Sequence, residues 1–227
     1  MKLQERSYST KILRPKPLIH VEADGSLIVV ATAWGEHEPA QRALEEVAKY
    51  VNSAKADVEV TSPFEFLGCL TDEANYVRTG FMLANEILYR GENRTQYSCG
   101  VEIAALFHRG DQLAWAHVGC PSLFLQRQRQ RLQPLSIGLD LAGELELQNS
   151  SALPPLPTQL LGLERTCNIK CGHSHVREGD QVILLASSTV ATSLWTREPS
   201  QQNLNDVTQR MIQESPESPF WLGLIEI

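Results

Sequence analysis

Leu27–Leu44 reads LIVVATAWGEHEPAQRAL. The stretch is an apolar strand, a turn containing Gly35, then His37, then the start of an amphipathic helix. Helical spacing continues through Ala40, Ala43, Leu44, Val47, Ala48 and Val51, so the sequence predicts a helix over 37–52. Upstream, Leu18–Val21 and Ser26–Ala31 flank Ala23-Asp24-Gly25, and Asp-Gly between apolar runs signals a hairpin. Downstream, Ser62-Pro63-Phe64-Glu65 has the form of a capping box with Pro at the first helical position. It predicts a second helix running to Tyr89, with a break near Thr71.

After Gly91 the texture changes to strands. Val101–Phe107, Leu113–Val118, Leu123–Gln126 and Arg131–Leu135 read as a meander with turns at Arg109–Asp111 and Arg127–Gln130. Residues 138–158 contain Asn149-Ser150-Ser151 and Pro154, Pro155 and Pro157, and read as a surface loop. A strand over 168–176, a turn at Glu178–Asp180, a strand over Val182–Ala186, a helix over 200–214 and a last strand over Phe220–Ile227 complete the chain. There is no regular βαβ alternation, which favours an α+β fold with antiparallel sheets. At 227 residues one domain is the default, with residues 1–17 an N-terminal segment.

Composition excludes some functions. A hydrophobic content of 42% fits a packed core. A net charge of −7 argues against nucleic acid or an anionic membrane as the main partner, since both require a basic face. No apolar run approaches the ~20 residues of a membrane helix. The first eleven residues lack the apolar region of a signal peptide, which argues for a cytoplasmic protein. Five scattered cysteines fit reduced thiols there.

Three blocks together resemble the metal-dependent protein phosphatases of the 2C type. The first is Val29–His37, where the family has V-V-A-D-G-M-G-G-H. The others are Ala116–Arg127 (AHVGCPSLFLQR) and Arg177–Leu194 (REGDQVILLASSTVATSL). The resemblance runs from about Leu18 to the end. It implies a four-layer α-β-β-α sandwich, two antiparallel sheets packed face to face with helices outside. The family's flap beside the active site then corresponds to the shorter, Pro-rich 138–158 loop.

The resemblance also implies what is missing. Family activity uses two divalent ions held by Asp side chains. Here Thr32 stands at the first metal-binding Asp and Ala33 at the Gly after it, with Glu36 and His37 closing the block. The family's Gly-Thr-Thr corresponds to Gly100-Val101-Glu102. Its Gly-Asp-Ser-Arg corresponds to Gly119-Cys120-Pro121-Ser122. Its Ser-Asp-Gly-Leu corresponds to Ser187-Ser188-Thr189-Val190, and its terminal Asp-Asn to Ser218-Pro219. The Asn-Glu-Asp expected before Leu18 has no counterpart, because no acid lies between Glu5 and Glu22. Mg²⁺ and Mn²⁺ prefer carboxylate oxygens, and Thr32, Cys120, Ser188 and Ser218 supply none. The other acids give no rescue: Asp24, Asp111 and Asp180 sit in turns, and Asp57, Asp72, Asp140 and Asp206 in loops or helices. The expected vestigial cleft is therefore Thr32, Ala33, Glu36, His37, Glu102, Cys120, Ser188 and Ser218, with no catalytic residue and no metal.

Other constellations carry less. Cys167, Cys171, His173 and His175 lie within nine residues, but on a strand their side chains form a row and do not wrap an ion tetrahedrally. Cys120 and His117 lack an orienting third group for thiol catalysis. His37 before a helix could meet an anion, but Glu36 and Glu38 oppose one. Trp34 reads as packing, or as a partner anchor if exposed. The run Gln126–Arg131 (QRQRQR) reads as a solvated hairpin tip. The functional expectation is a catalytically inactive domain that binds a protein partner in phosphosignalling, without a cofactor. One alternative is a divergent Mn- or Mg-dependent phosphatase that recruits metal through Glu36, Glu102 or main-chain carbonyls. Another is an αββα hydrolase of the N-terminal nucleophile class, which requires a processed nucleophile at the mature N-terminus.

Overall fold

The computed structural model describes residues 1–56, 62–91, 93–146, 153–196 and 203–227. In chain order its elements are β1 (Lys2–Tyr8), β2 (Leu18–Val21), β3 (Leu27–Gly35), α1 (Glu38–Ala56), α2 (Asp72–Arg90), β4 (Cys99–Arg109), β5 (Gln112–Val118), β6 (Ser122–Gln126), β7 (Gln133–Ser136), α3 (Leu141–Glu146), β8 (Lys170–His175), β9 (Gln181–Ser187), α4 (Ser193–Thr196), α5 (Leu204–Glu214) and β10 (Phe220–Glu226). The strands form two five-stranded sheets, ordered β2-β3-β4-β5-β8 and β1-β10-β9-β6-β7. Every strand pairing within them is antiparallel. The chain divides into two compact units, each built on one sheet.

The helical unit comprises 17–118 and 159–176. β3 alternates side chains across its faces, and Leu27, Val29, Ala31 and Ala33 enter a core with Val47 and Val51 of α1 and Val77, Phe81 and Leu88 of α2. The remaining face of β3 is buried at Ile28, Val30 and Thr32, so the strand reads as continuously apolar. The predicted β2–β3 hairpin is present, with the Asp24 carboxylate accepting from Ser26 N at 2.9 Å and from Lys55 Nζ. α1 runs four residues beyond the predicted end at 52.

α2 departs from expectation. It does not begin at Ser62–Glu65 but at Asp72, with Thr71 as N-cap, its Oγ1 accepting from Ala74 N at 3.3 Å. The Ser62 hydroxyl instead bonds Phe64 N and O in a local turn. The Asn75 amide then binds Leu67 N, Leu67 O and Thr71 O, which folds the segment back on the first helical turn.

The second unit comprises 1–16, 119–158 and 177–227. Its core gathers Phe124, Ile183, Leu185, Leu222 and Leu224 with Val207 and Met211 of α5. β1 was not expected, since residues 1–17 read as a plain segment. Its side chains are mostly polar and exposed, so no apolar alternation marks it. Pairing with β10 holds it, together with Trp221 Nε1 donating to Glu5 Oε2 at 2.5 Å and Tyr8 stacked on Phe220. The expected meander is also corrected. β4–β5 and β6–β7 are hairpins of different sheets, and Gly119–Pro121 carries the chain from one to the other.

The 138–158 segment is more than a loop. It contains α3, and Asp140 is buried with its Oδ1 accepting from Ala142 N at 2.8 Å and Leu156 N at 3.0 Å. A bridge pairs Asp140 with Pro157. The expected features at Asp57, at Asn149–Ser151 and at 200–202 lie outside the described residues. The strand over 168–176 and the last strand fall within two residues of expectation, as β8 and β10, while α4 carried no signal.

Candidate functional site: two polar sheet ends

The expected site residues fall into two sets, one in each unit. In the helical unit, Thr32 and Glu102 are directly opposed across β3 and β4. Both are buried, at 4% and 1% exposure. Trp34 lies on the same face of β3, half-buried, and its indole Nε1 donates to Glu102 Oε2 at 3.1 Å. Trp34 is thus neither plain packing nor a free anchor; it is a hydrogen-bond partner of a buried carboxyl. Ala33 points the other way, into the core under the helices. Glu36 and His37 are exposed in the turn to α1, where His37 O accepts from Ala40 N at 3.1 Å. Gly35 is required at that turn: its φ is +112°, and a Cβ there would lie 2.4 Å from Ser98 O.

His117 shares the Glu102 face of this sheet, since it opposes Ala104 in the β4–β5 register. It is 1% exposed. Burial, reinforced by Lys170, pushes its imidazole down to about 4, so the ring is neutral near pH 7. In the Cys167–His175 group, His173 and His175 are exposed while Cys167 and Cys171 pack on the core. Burial raises both thiols, Cys167 to about 11. Among the described residues no group of three His, Cys, Asp or Glu side chains comes together to hold an ion.

In the second unit, Cys120 precedes β6, Ser188 follows β9 and Ser218 precedes β10. The antiparallel order β6-β9-β10 therefore puts all three at one end of the sheet. Cys120 is fully buried, and its thiol donates to Ser187 O at 2.9 Å. Ser188 is partly exposed, and Ser218 is 5% exposed with its N donating to Ser215 O at 3.2 Å. The 138–143 segment presses on this end through two glycines. A Cβ on Gly138 would lie 1.7 Å from Cys120 O, and one on Gly143 2.0 Å from Ser188 O. Sequence reasoning missed Arg14, which is 7% exposed with Nη1 3.9 Å from Cys120 Sγ. Its only signal is a cation inside the run Ile12–Leu18, and no periodicity ties it to Cys120.

No family model matches the sequence, and no curated protein matches it. Solved structures do match over nearly full length. PppA, a key regulatory component of T6SS in Pseudomonas aeruginosa, is 15% identical over 98% of this chain and 96% of its own, with a TM-score of 0.63. The catalytic domain of the serine/threonine phosphatase PstP in complex with two manganese ions is 14% identical over 99% and 97%, with a TM-score of 0.62. The S. agalactiae serine/threonine phosphatase is 19% identical over 100% of both chains, with a TM-score of 0.58. The chain has the fold of these phosphatases. It is α+β, with two antiparallel sheets flanked by helices, as the resemblance implied. At this identity the likeness speaks to fold, and function has to be argued from the residues.

Proposed function

We propose that the chain is a phosphatase-like domain without hydrolytic activity, which acts as a regulatory, protein-binding module in phosphosignalling. The observation that carries this reading is the chemistry of the two sheet ends. Mn²⁺ or Mg²⁺ needs several free carboxylate oxygens. At the end formed by Cys120, Ser188 and Ser218 there is a thiol donating to a carbonyl, hydroxyls, and the Arg14 guanidinium, a permanent cation. Asp140, the carboxylate of the adjoining segment, already accepts from two backbone N–H groups. At the other end Glu102 is engaged by Trp34. This donor set does not fit a pair of divalent ions, and no chemical step is assigned to a metal here.

The binding half of the proposal rests on exposed apolar side chains between 137 and 145 and at Leu156. Ile137, Leu139, Leu141, Leu145 and Leu156 are each 40–47% exposed. They make up five of the nine large hydrophobic side chains exposed among the described residues. Apolar side chains grouped in this way mark interaction surfaces. The regulatory role named for PppA is in keeping with this reading.

The test is turnover of an aryl phosphate and of a phosphopeptide by the purified chain, with and without Mn²⁺. The expected result is no metal-dependent turnover. Mn²⁺-dependent hydrolysis abolished by Glu102→Ala would replace this reading with that of a divergent phosphatase.

A further inference from the structure

A cavity of about 260 Å³ lies within the helical unit. Its volume is just below the ~300–1,000 Å³ of sites for drug-sized ligands, so it suits a molecule with one ring system. One wall is the stripe Met82, Glu86 and Tyr89 on α2. These alternate with Phe81, Ala84 and Leu88, which enter the core. The facing wall is the strand approach from Arg165 to Ile169, and Phe64 closes one side.

That facing wall is fixed in place. Asn85 is 3% exposed. Its Oδ1 accepts from Gly162 N at 2.8 Å, and its Nδ2 donates to Glu164 O at 3.1 Å and Arg165 O at 3.2 Å. The cavity is therefore largely preformed, which lowers the ordering cost of binding. Its lining divides by chemistry. Phe64, Met82, Tyr89 and Ile169 offer two rings, a thioether and an aliphatic face. Cys167 adds a neutral thiol.

Glu86, Arg90 and Arg165 stand at the lip, with Glu164 near enough to act on Cys167. Glu86 is paired with Arg90 at 2.7 Å. The Arg165 side chain is exposed, and among the described residues it has no ion-pair partner. One guanidinium is thus left to meet an anion, in a chain whose net charge is −7. Planar guanidinium pairs with carboxylates in a bidentate manner.

We propose that this cavity binds a small aromatic carboxylate, its ring held between α2 and the 165–169 wall and its carboxylate on Arg165. The site shares no residue with the two polar sheet ends, and the proposal does not depend on whether the chain hydrolyses phosphoesters.

The experiment is an NMR and calorimetric titration of the full chain with indole-3-acetate, with tryptamine (the same ring on a cation) and acetate (the anion without a ring) as comparators. Indole-3-acetate is expected to bind saturably and to shift the Met82 methyl resonance. Arg165→Gln, an exposed change, should weaken it about 10-fold or more, in keeping with loss of a charged hydrogen bond. Met82→Trp, which fills the cavity, should abolish it, while thermal melts confirm that both variants fold. Tryptamine binding as tightly would overturn the proposal. So would binding indifferent to both substitutions, or no saturable binding up to about 10 mM.

Discussion

At the β3–β4 end of one sheet the chain buries an acid; at the β6–β9–β10 end of the other it buries a base. Glu102 is held by the indole of Trp34 and faces Thr32. Arg14 lies beside the Cys120 thiol, and Gly138 lets its segment approach the Cys120 carbonyl. Buried polar groups are costly unless they are matched. At the acidic end the Trp34 indole matches Glu102; at the basic end Ser187 O matches the Cys120 thiol, while the Ser188 hydroxyl is buried without a hydrogen-bond partner among the described residues. The difference teaches that some polar residues at a sheet end, Trp34 with Glu102 and Arg14 with Cys120, are partners of one another.

The comparison can be broken most severely at the basic end. Gly138→Ala drives a Cβ against Cys120 O, with backbone on both sides and no flexible side chain to yield. Urea denaturation should show a loss of more than about 4 kcal/mol, or no cooperative transition. Acid should act next, and on the other sheet. Unfolded His117 titrates near 6.5 and folded His117 near 4. Between those values the unfolded state takes up the proton first. Stability should therefore fall as pH drops from 6.5 to 4, by on the order of 3 kcal/mol. His117→Gln should flatten that part of the profile, and an unchanged slope would contradict the assigned burial.

The acidic end is sharpened by Trp34→Phe, which keeps the ring but removes the donor to Glu102. The expected cost is about 1–3 kcal/mol by chemical denaturation. Glu102→Gln should cost less, because the amide oxygen can still accept. The smallest effect belongs to the segment pressed on the basic end. Asp140→Ala removes the cap on Ala142 N and the bond to Leu156 N. It should cost about 1 kcal/mol and speed hydrogen exchange at those two amides.

Much of the fold was legible because it rests on periodicity. β3, α1 and the strands from 99 to 126 bury apolar residues at the spacing their elements require, and so they could be read. β1 could not, because its stability comes from pairing with β10 and from the Trp221–Glu5 bond. The start of α2 was misread because two sequences compete for the cap, and Asn75 decides between them through tertiary bonds. Of the expected site residues, what can be compared with the structure is their placement. Thr32 with Glu102, and Cys120 with Ser188 and Ser218, do share sheet ends. Arg14, the Trp34 bond and the glycine contacts were not legible, since each joins residues far apart in the chain. Thus Arg14 and Cys120 are 106 positions apart.

The central claim, that these sheet ends are not metal sites, is tested most directly by titrating the purified chain with Mn²⁺ and following free ion by electron paramagnetic resonance. The account predicts that the free-ion signal rises as in buffer alone, with at most weak, non-stoichiometric loss at millimolar Mn²⁺. Stoichiometric uptake of one or two ions per chain, lost in Glu102→Ala, would contradict it.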